Sequence, residues 1–262
     1  MSARFELTLK VQPGKGKALL PLNYQYELSA WIYRVVKKGN EEFAAWLHDR
    51  GYGDSNKAFK LFSFSHLRVP AYRIREDRME LLCERLTCVI SFCTADVIEP
   101  FVVGVFKNCV FTLGDARSRV AFRVKEVKTC PPVVFQGNMT FQALSPVFMD
   151  RHLQGRKASS THLAPGEPFF EELLHHNLVE KYRLLHEQLP PEDWVVTRFH
   201  LLSPPRPKMI AIKRFTPQAT RLKCYFCSFE LTGEPALLEI AYYAGIGRLN
   251  SQGFGCIGLL EK

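Results

Sequence analysis

Gly245-Ile246-Gly247-Arg248-Leu249-Asn250-Ser251-Gln252-Gly253-Phe254-Gly255 leads into the apolar run Cys256-Ile257-Gly258-Leu259-Leu260. Four glycines stand in eleven residues, with Arg248, Asn250 and Ser251 between them. Glycine has no Cβ, so its backbone takes positive φ and allows close approach. Successive N–H groups in such a loop suit phosphate oxygens. A plain turn from helix to strand needs one or two glycines. The preceding residues, Glu234 to Tyr243, read as a helix, and Gly255 to Leu260 as a closing strand. Helix, glycine loop, strand is the reverse of the dinucleotide-binding order. Gly253 also follows Gly247 by six residues, which breaks G-x-G-x-x-G. The sequence has no G-x-x-x-x-G-K-[ST], which disfavours a P-loop NTPase.

Outward from that loop, hydrophobic periodicity divides the chain. Phe5, Leu7, Leu9 and Val11 alternate, so Arg4 to Val11 is read as a half-buried strand. Helices are expected over Asn23 to Lys38, with Asn23 as N-cap, and over Glu41 to Asp49. Strands at Leu61 to Leu67 and Met79 to Arg85, a helix at Asp96 to Phe106, and strands at Val110 to Leu113 and Arg119 to Val127 follow. Thr129-Cys130-Pro131-Pro132 marks a boundary. Beyond it come a strand at Met139 to Leu144, a helix at Phe169 to Gln188, and strands at Val195 to Leu202, Met209 to Arg214 and Leu222 to Leu231. The first half reads as the β-α-β-β-α-β order of a ferredoxin-like unit and the second repeats it less clearly; the pattern by itself supports only an α+β class, with two domains as one option. The expected division is residues 1–128 and 135–262.

Lys and Arg exceed Asp and Glu by 35 − 26 = 9 charges, which favours an anionic partner. No apolar run approaches the roughly 18 residues that span a membrane, and the start of the chain shows no secretory pattern, so a cytoplasmic location is expected. The eight cysteines lie mostly in apolar stretches. Cys224 and Cys227 have C-x-x-C spacing but no second pair at zinc-finger distance, so they read as small core residues in a reducing compartment. No H-E-x-x-H and no H-x-E with C-x-x-C occurs, which disfavours metal hydrolysis and zinc deamination.

The glycine loop, in the form G-x-G-x-x-N-S-x-G-x-G, resembles the C-terminal signature of the repeat-associated mystery protein superfamily, the RNA-binding proteins of CRISPR systems. It is most similar to the endoribonuclease that cuts CRISPR repeat transcripts into guide RNAs. Pro21 to Leu28 with Ile32-Tyr33 looks like that family's first helix, Trp46-Leu47-His48-Asp49 like its second helix and loop, and Lys60 to Ser65 like its next strand. The resemblance implies two tandem ferredoxin-like domains, with the catalytic residues in the N-terminal one. Carried over residue by residue, it implies Tyr33, His48 and Lys60 as the cutting residues, with Lys57 and His66 as rivals. It implies no cofactor and no metal, CRISPR repeat RNA as partner, no membrane, and room for an effector complex or a homodimer. A non-cutting RNA-binding subunit of the same superfamily is the competing reading. The Gly51 to Phe59 stretch is longer than the family's pattern.

The implied residues suit RNA chemistry. A 2′-hydroxyl can attack the adjacent phosphate without a metal if a base takes its proton, an acid serves the departing 5′-oxygen, and a cation offsets the phosphate charge. Histidine can act as acid or base near neutral pH. Lysine stabilises the crowded phosphate. Tyrosine is a poor base unless a cation lowers its pKa. The expected products are a 2′,3′-cyclic phosphate and a 5′-hydroxyl.

Residues 194 to 229 contain no acid, while Arg198, Arg206, Lys208, Lys213, Arg214, Arg221 and Lys223 are basic. An acid-free run of this kind suits a phosphate track, and Phe215, Tyr225 and Phe226 are expected to stack on bases. Arg151, Arg156 and Lys157 look like the family's basic loop. Arg73, Arg75 and Arg78 form a further basic cluster. With the loop residues Gly245, Gly247, Arg248, Asn250, Ser251, Gly253 and Gly255, these groups are the expected RNA contacts.

Overall fold

A computed structural model describes residues 2–14, 16–54, 57–152, 160–212 and 219–260. The alternation of Phe5, Leu7 and Leu9, all buried, places Ala3–Val11 in the middle of a five-stranded antiparallel sheet. Its order is Phe62–Phe64, Arg85–Phe92, Ala3–Val11, Arg119–Thr129, Val110–Gly114. Helices α1 (Gln25–Gly39) and α3 (Ala95–Lys107) cover one face, and their inward stripes, Leu28, Trp31, Ile32 and Val35 against Val97, Phe101 and Val105, form its core. Helix α2 (Glu41–Asp49) follows α1 directly, and the Asn40 side chain caps it by accepting from the Phe43 N–H at 2.9 Å.

The second half repeats this plan. Its sheet runs Arg198–Leu201, Ser228–Thr232, Asn138–Ala143, Ile257–Leu259, with every neighbour antiparallel. Helices α4 (Phe170–His186) and α5 (Pro235–Ala244) pack on it through Leu174 and Leu178 from one and Leu237, Leu238, Ile240 and Ala241 from the other. In the second sheet the unit's first strand lies between its third and fourth, and in the first sheet between its third, Arg85–Phe92, and its last, Arg119–Thr129. This is the ferredoxin-like arrangement twice over, and the chain is α+β. Among the described residues, no helix is long and apolar enough to cross a membrane.

Three local expectations are corrected. The strand expected at Met79 to Arg85 is two objects: Arg78–Leu81 belongs to a small separate sheet, and the core strand is Arg85–Phe92. Leu86, Cys88 and Ile90 alternate inward there, a pattern hidden by the short connection before it. The single strand expected over Leu222 to Leu231 breaks at Cys227. Thr220–Phe226 forms a hairpin with Arg206–Ile212, whereas Ser228–Thr232 joins the main sheet. Finally, α1 is preceded by Tyr24 with no side-chain cap, not by Asn23.

The halves are joined by polar contacts through the interface. Arg4, 4% exposed, donates from Nη2 to the Ile257 carbonyl at 2.5 Å and lies 3.9 Å over the Tyr242 ring. The His66 N–H donates to the Leu144 carbonyl at 2.9 Å, and the Ser63 hydroxyl to the Tyr243 carbonyl at 3.4 Å. The edge strand Phe62–Phe64 thus has the second half against it, and an edge that would otherwise be open is covered.

Candidate active site

Helix α1 carries Tyr33 on the boundary of its apolar stripe, next to buried Ile32. Helix α2 ends at His48 and Asp49. The residues after it fold back as a hairpin, Tyr52–Asp54 against Lys57–Phe59, with Tyr52 opposite Phe59. That fold absorbs the long connection and returns Lys60 to the end of α2. Lys60 Nζ donates to the His48 carbonyl at 2.8 Å, where a cation also offsets the negative end of the helix. The Tyr33 and His48 rings meet edge to face with centroids 5.5 Å apart, and Phe62 supports Tyr33 from another side at the same separation. Tyr33, His48 and Lys60 therefore converge. The side chain of Lys57 lies outside the described features.

Each group has a defined electrostatic state. Burial pushes the Tyr33 phenol above its ordinary pKa, and a hydrogen bond from the Ser251 side chain opposes that shift. Burial lowers Lys60, and the nearby Asp49 carboxylate opposes this. His48 is exposed, and its Nδ1 sits 2.9 Å from Asp49 Oδ1. An ionised carboxylate only accepts, so Nδ1 carries the proton and the Nε2 lone pair faces outward in the neutral ring. His66, the rival, is half-buried. It accepts from Gln25 Nε2 at 2.8 Å, and burial, reinforced by Lys208, brings its pKa down to about 3. A histidine held neutral that far below pH 7 is a structural acceptor.

The glycine loop lies against this cluster. Its N–H groups at Ile246, Arg248, Gln252, Gly253 and Gly255 donate to the carbonyls of Gly255, Phe148, Leu249, Asn250 and Pro146. Gly245, Gly247, Gly253 and Gly255 are buried, as is Asn250. The loop is a packed plug between α1 and the Val147-Phe148 segment, so those amides are occupied by protein carbonyls. A Cβ on Gly255, whose φ is +65°, would stand 1.9 Å from the Ile246 carbonyl oxygen. Gly255→Ala is therefore expected to destabilise the protein by about 2–4 kcal/mol, and a thermal melt of the variant beside wild type checks it. Of the plug's side chains, Arg248 is exposed and ion-paired with Asp150, and Leu249, Ser251 and Gln252 are half-buried.

Sequence reasoning missed Lys181 of α4. The signal was available: Phe170, Leu174, Leu178 and Lys181 follow helical spacing along the buried stripe, so this lysine faces the interior.

The basic stretch divides by face. In the hairpin register Lys208 pairs with Cys224 and Ile210 with Leu222, all on the inward face, whereas Met209 pairs with Lys223 and Ala211 with Arg221 on the outward one. Arg206, Arg221 and Lys223 are exposed. Lys208 is half-buried, with its pKa lowered by burial. Arg198 is bound by Glu171 at 2.8 Å. Tyr225 is buried and Phe226 packs edge-on against His66, so these rings serve the interior. Arg78 is buried against Asp77 and Asp115, whereas Arg75, tied to Glu80, and Arg73 are exposed, so only Arg78 leaves the expected basic cluster for an internal ion pair. Arg151 stacks 3.8 Å over Phe169. Arg156, Lys157, Lys213, Arg214 and Phe215 lie outside the described residues. Cys224 and Cys227 are buried, and burial pushes both thiols up to about 12.

Two family models divide the chain between them: "CRISPR-associated protein Cas6, N-terminal" matches residues 19–128, and "CRISPR associated protein Cas6, C-terminal" matches residues 128–259. The "CRISPR-associated endoribonuclease Cas6 1" of Methanocaldococcus jannaschii is 28% identical over 262 residues, covering 99% of this chain and 94% of that one. The "CRISPR-associated endoribonuclease Cas6" of Pyrococcus furiosus is 28% identical over 257 residues, covering 97% and 89%. The solved structure titled "Characterization of a Cas6-related gene from Pyrococcus furiosus" superposes with a TM-score of 0.85 at 20% identity over the whole of both chains, a likeness of fold. With the doubled ferredoxin-like plan and the glycine loop in place, the two family models settle the assignment: the chain belongs to the CRISPR-associated Cas6 family of repeat-RNA-processing proteins.

Proposed function

We propose that this chain is a metal-independent endoribonuclease that cuts precursor CRISPR RNA within its repeats. One observation carries the reading. Tyr33, His48 and Lys60, from three separate elements, meet at one surface beside the loop residue Ser251. These groups contain a base, a proton donor and a cation, which is the full requirement of 2′-hydroxyl attack. His48 Nε2 takes the proton of the 2′-hydroxyl, with Asp49 orienting the ring through Nδ1. Tyr33, which burial keeps protonated, gives a proton to the departing 5′-oxygen. Lys60 supplies positive charge next to the reacting phosphate. The products are a 2′,3′-cyclic phosphate and a 5′-hydroxyl.

In this reading residues 1–128 carry the cutting residues, and residues 135–262 carry the glycine loop and the phosphate track. The open face of the hairpin, with Arg221 and Lys223, holds the RNA backbone, and exposed Arg206 adds charge at the end of the same strand pair. A groove of about 410 Å³, lined by Asn23, Met209, Ala211, Thr220 and Arg221, runs from this face to the start of α1 and connects the track to the first half. Arg221→Ala and Lys223→Ala should each weaken RNA binding and reduce the slope of log K against log salt by about one contact's share, ~0.7 for single-stranded RNA. A binding titration between low and moderate salt measures this.

The decisive assay uses an end-labelled CRISPR repeat in EDTA, with a matched substrate carrying one 2′-deoxy nucleotide at the cut site. A single cut that survives EDTA and disappears in the deoxy substrate is the expected result. Tight binding with no cut would make the chain a non-cutting RNA-binding member of the superfamily.

A further inference from the structure

Lys181 is buried, charged in water, and unused by the chemistry above. It projects from α4 and is 1% exposed. Its Nζ donates to the Gly245 carbonyl at 2.6 Å and to Asn250 Oδ1 at 2.8 Å, with the Gly247 carbonyl at 3.4 Å. Asn250 Nδ2 in turn donates to the carbonyls of Ile246 at 2.9 Å and Phe254 at 3.1 Å. One amine and one amide thus gather the carbonyls on both sides of the loop. The next residue is Ser251. Its carbonyl accepts from the Ser29 hydroxyl at 2.6 Å, and its side chain hydrogen-bonds Tyr33. Ser29 and Tyr33 are four apart on α1, so they share a face. The loop is clamped between Lys181 on α4 and this face of α1.

Burying an amine is unfavourable unless its hydrogen bonds are made. A leucine, the residue type at positions 174 and 178 of the same stripe, would fill the volume without that cost. What an apolar residue could not do is hold the carbonyls of a loop whose amides point elsewhere.

We propose that Lys181 is a positioning residue for cleavage: through Asn250 and the loop carbonyls it fixes Ser251 against Tyr33 and so sets the direction of the phenol at the RNA phosphate. This rests on the reading of Tyr33 as a cleavage residue. A lysine that merely held the fold together would affect RNA binding, melting temperature and rate alike. A positioning lysine affects the rate constant of the bound complex.

The test measures single-turnover cleavage and RNA affinity for wild type, Lys181→Met, Ser251→Ala, Ser29→Ala and the Lys181→Met/Ser251→Ala double variant. Lys181→Met is expected to lower the maximal rate about 10- to 100-fold, as small misplacements of reacting groups do, while the protein concentration for half-maximal rate stays within about threefold. Ser251→Ala and Ser29→Ala should slow the same step, and the double variant should be no slower than its worse parent, because both substitutions break one chain of contacts. An unchanged rate in Lys181→Met, equal losses in rate and affinity, or multiplicative losses in the double variant would overturn the proposal. If Lys181→Met does not fold, the Ser29→Ala/Ser251→Ala pair decides, with non-multiplicative losses supporting the clamp and multiplicative or absent losses refuting it. Wild type that binds RNA without cutting would overturn the cleavage reading and this inference together. Cutting wild type with a normal Lys181→Met rate would overturn this inference alone.

Discussion

Replacing His48 by alanine is expected to slow cleavage of a CRISPR repeat about 100- to 10,000-fold and to leave RNA affinity within about threefold. The ring stands exposed at the end of α2, held by Asp49 on one side and edge-on to Tyr33 on the other. Its loss removes no core packing, so stability should change by no more than about 0.5 kcal/mol. The proposed phosphate track is made of other residues, Arg221 and Lys223 of the hairpin, which the substitution does not alter, and binding should survive for that reason. Rapid-mixing cleavage with excess protein, beside a filter-binding titration of the same variant, separates the two quantities. A variant that still cuts at the wild-type rate would remove His48 from the mechanism.

The second large effect concerns Tyr33 and distinguishes acid from base. Tyr33→Phe is expected to reduce the rate about 100-fold or more, and that loss should largely vanish on a substrate whose scissile 5′-oxygen is replaced by sulfur. A thiolate departs without a proton, so an enzyme lacking its acid recovers while an enzyme lacking its base does not. The assignment comes from environment. Burial raises the Tyr33 phenol, and Lys60 is tied to the His48 carbonyl instead of to Tyr33. A phenol without a neighbouring cation stays protonated at neutral pH and is fit to donate. His48, by contrast, keeps its Nδ1 proton on Asp49, and its other nitrogen is free to accept. Rescue of His48→Ala by the sulfur substrate, with none for Tyr33→Phe, would reverse the two roles.

Much of this was legible in the sequence because it rests on local patterns. Alternation at Phe5, Leu7 and Leu9, the helical stripe from Leu28 to Val35, and the turn residues between them are governed by short-range geometry. They specify the α+β class before any contact is known. The strand over Arg85–Phe92 was assigned to its neighbour because a four-residue strand in a separate small sheet precedes it with almost no punctuation. The inward face of Lys208 escaped notice for a related reason. A two-stranded hairpin has one covered side, and which side is covered depends on what packs beneath it, here Phe148 and Phe254 against Ile210, Leu222 and Cys224.

Composition and periodicity act over a few residues, and they were enough for the α+β class and the basic balance; the doubled ferredoxin-like plan and the choice of Tyr33, His48 and Lys60 came from the resemblance of longer motifs to a family. What those residues face was set by tertiary packing. It turned the glycine loop's amides onto protein carbonyls. It folded the long connection after α2 so that Lys60 reaches His48. It also drew Lys181, some sixty residues before the loop in the chain, under Gly245 and Asn250. Contacts between residues so far apart depend on how two sheets and their helices stack, and no short stretch of sequence carries that information.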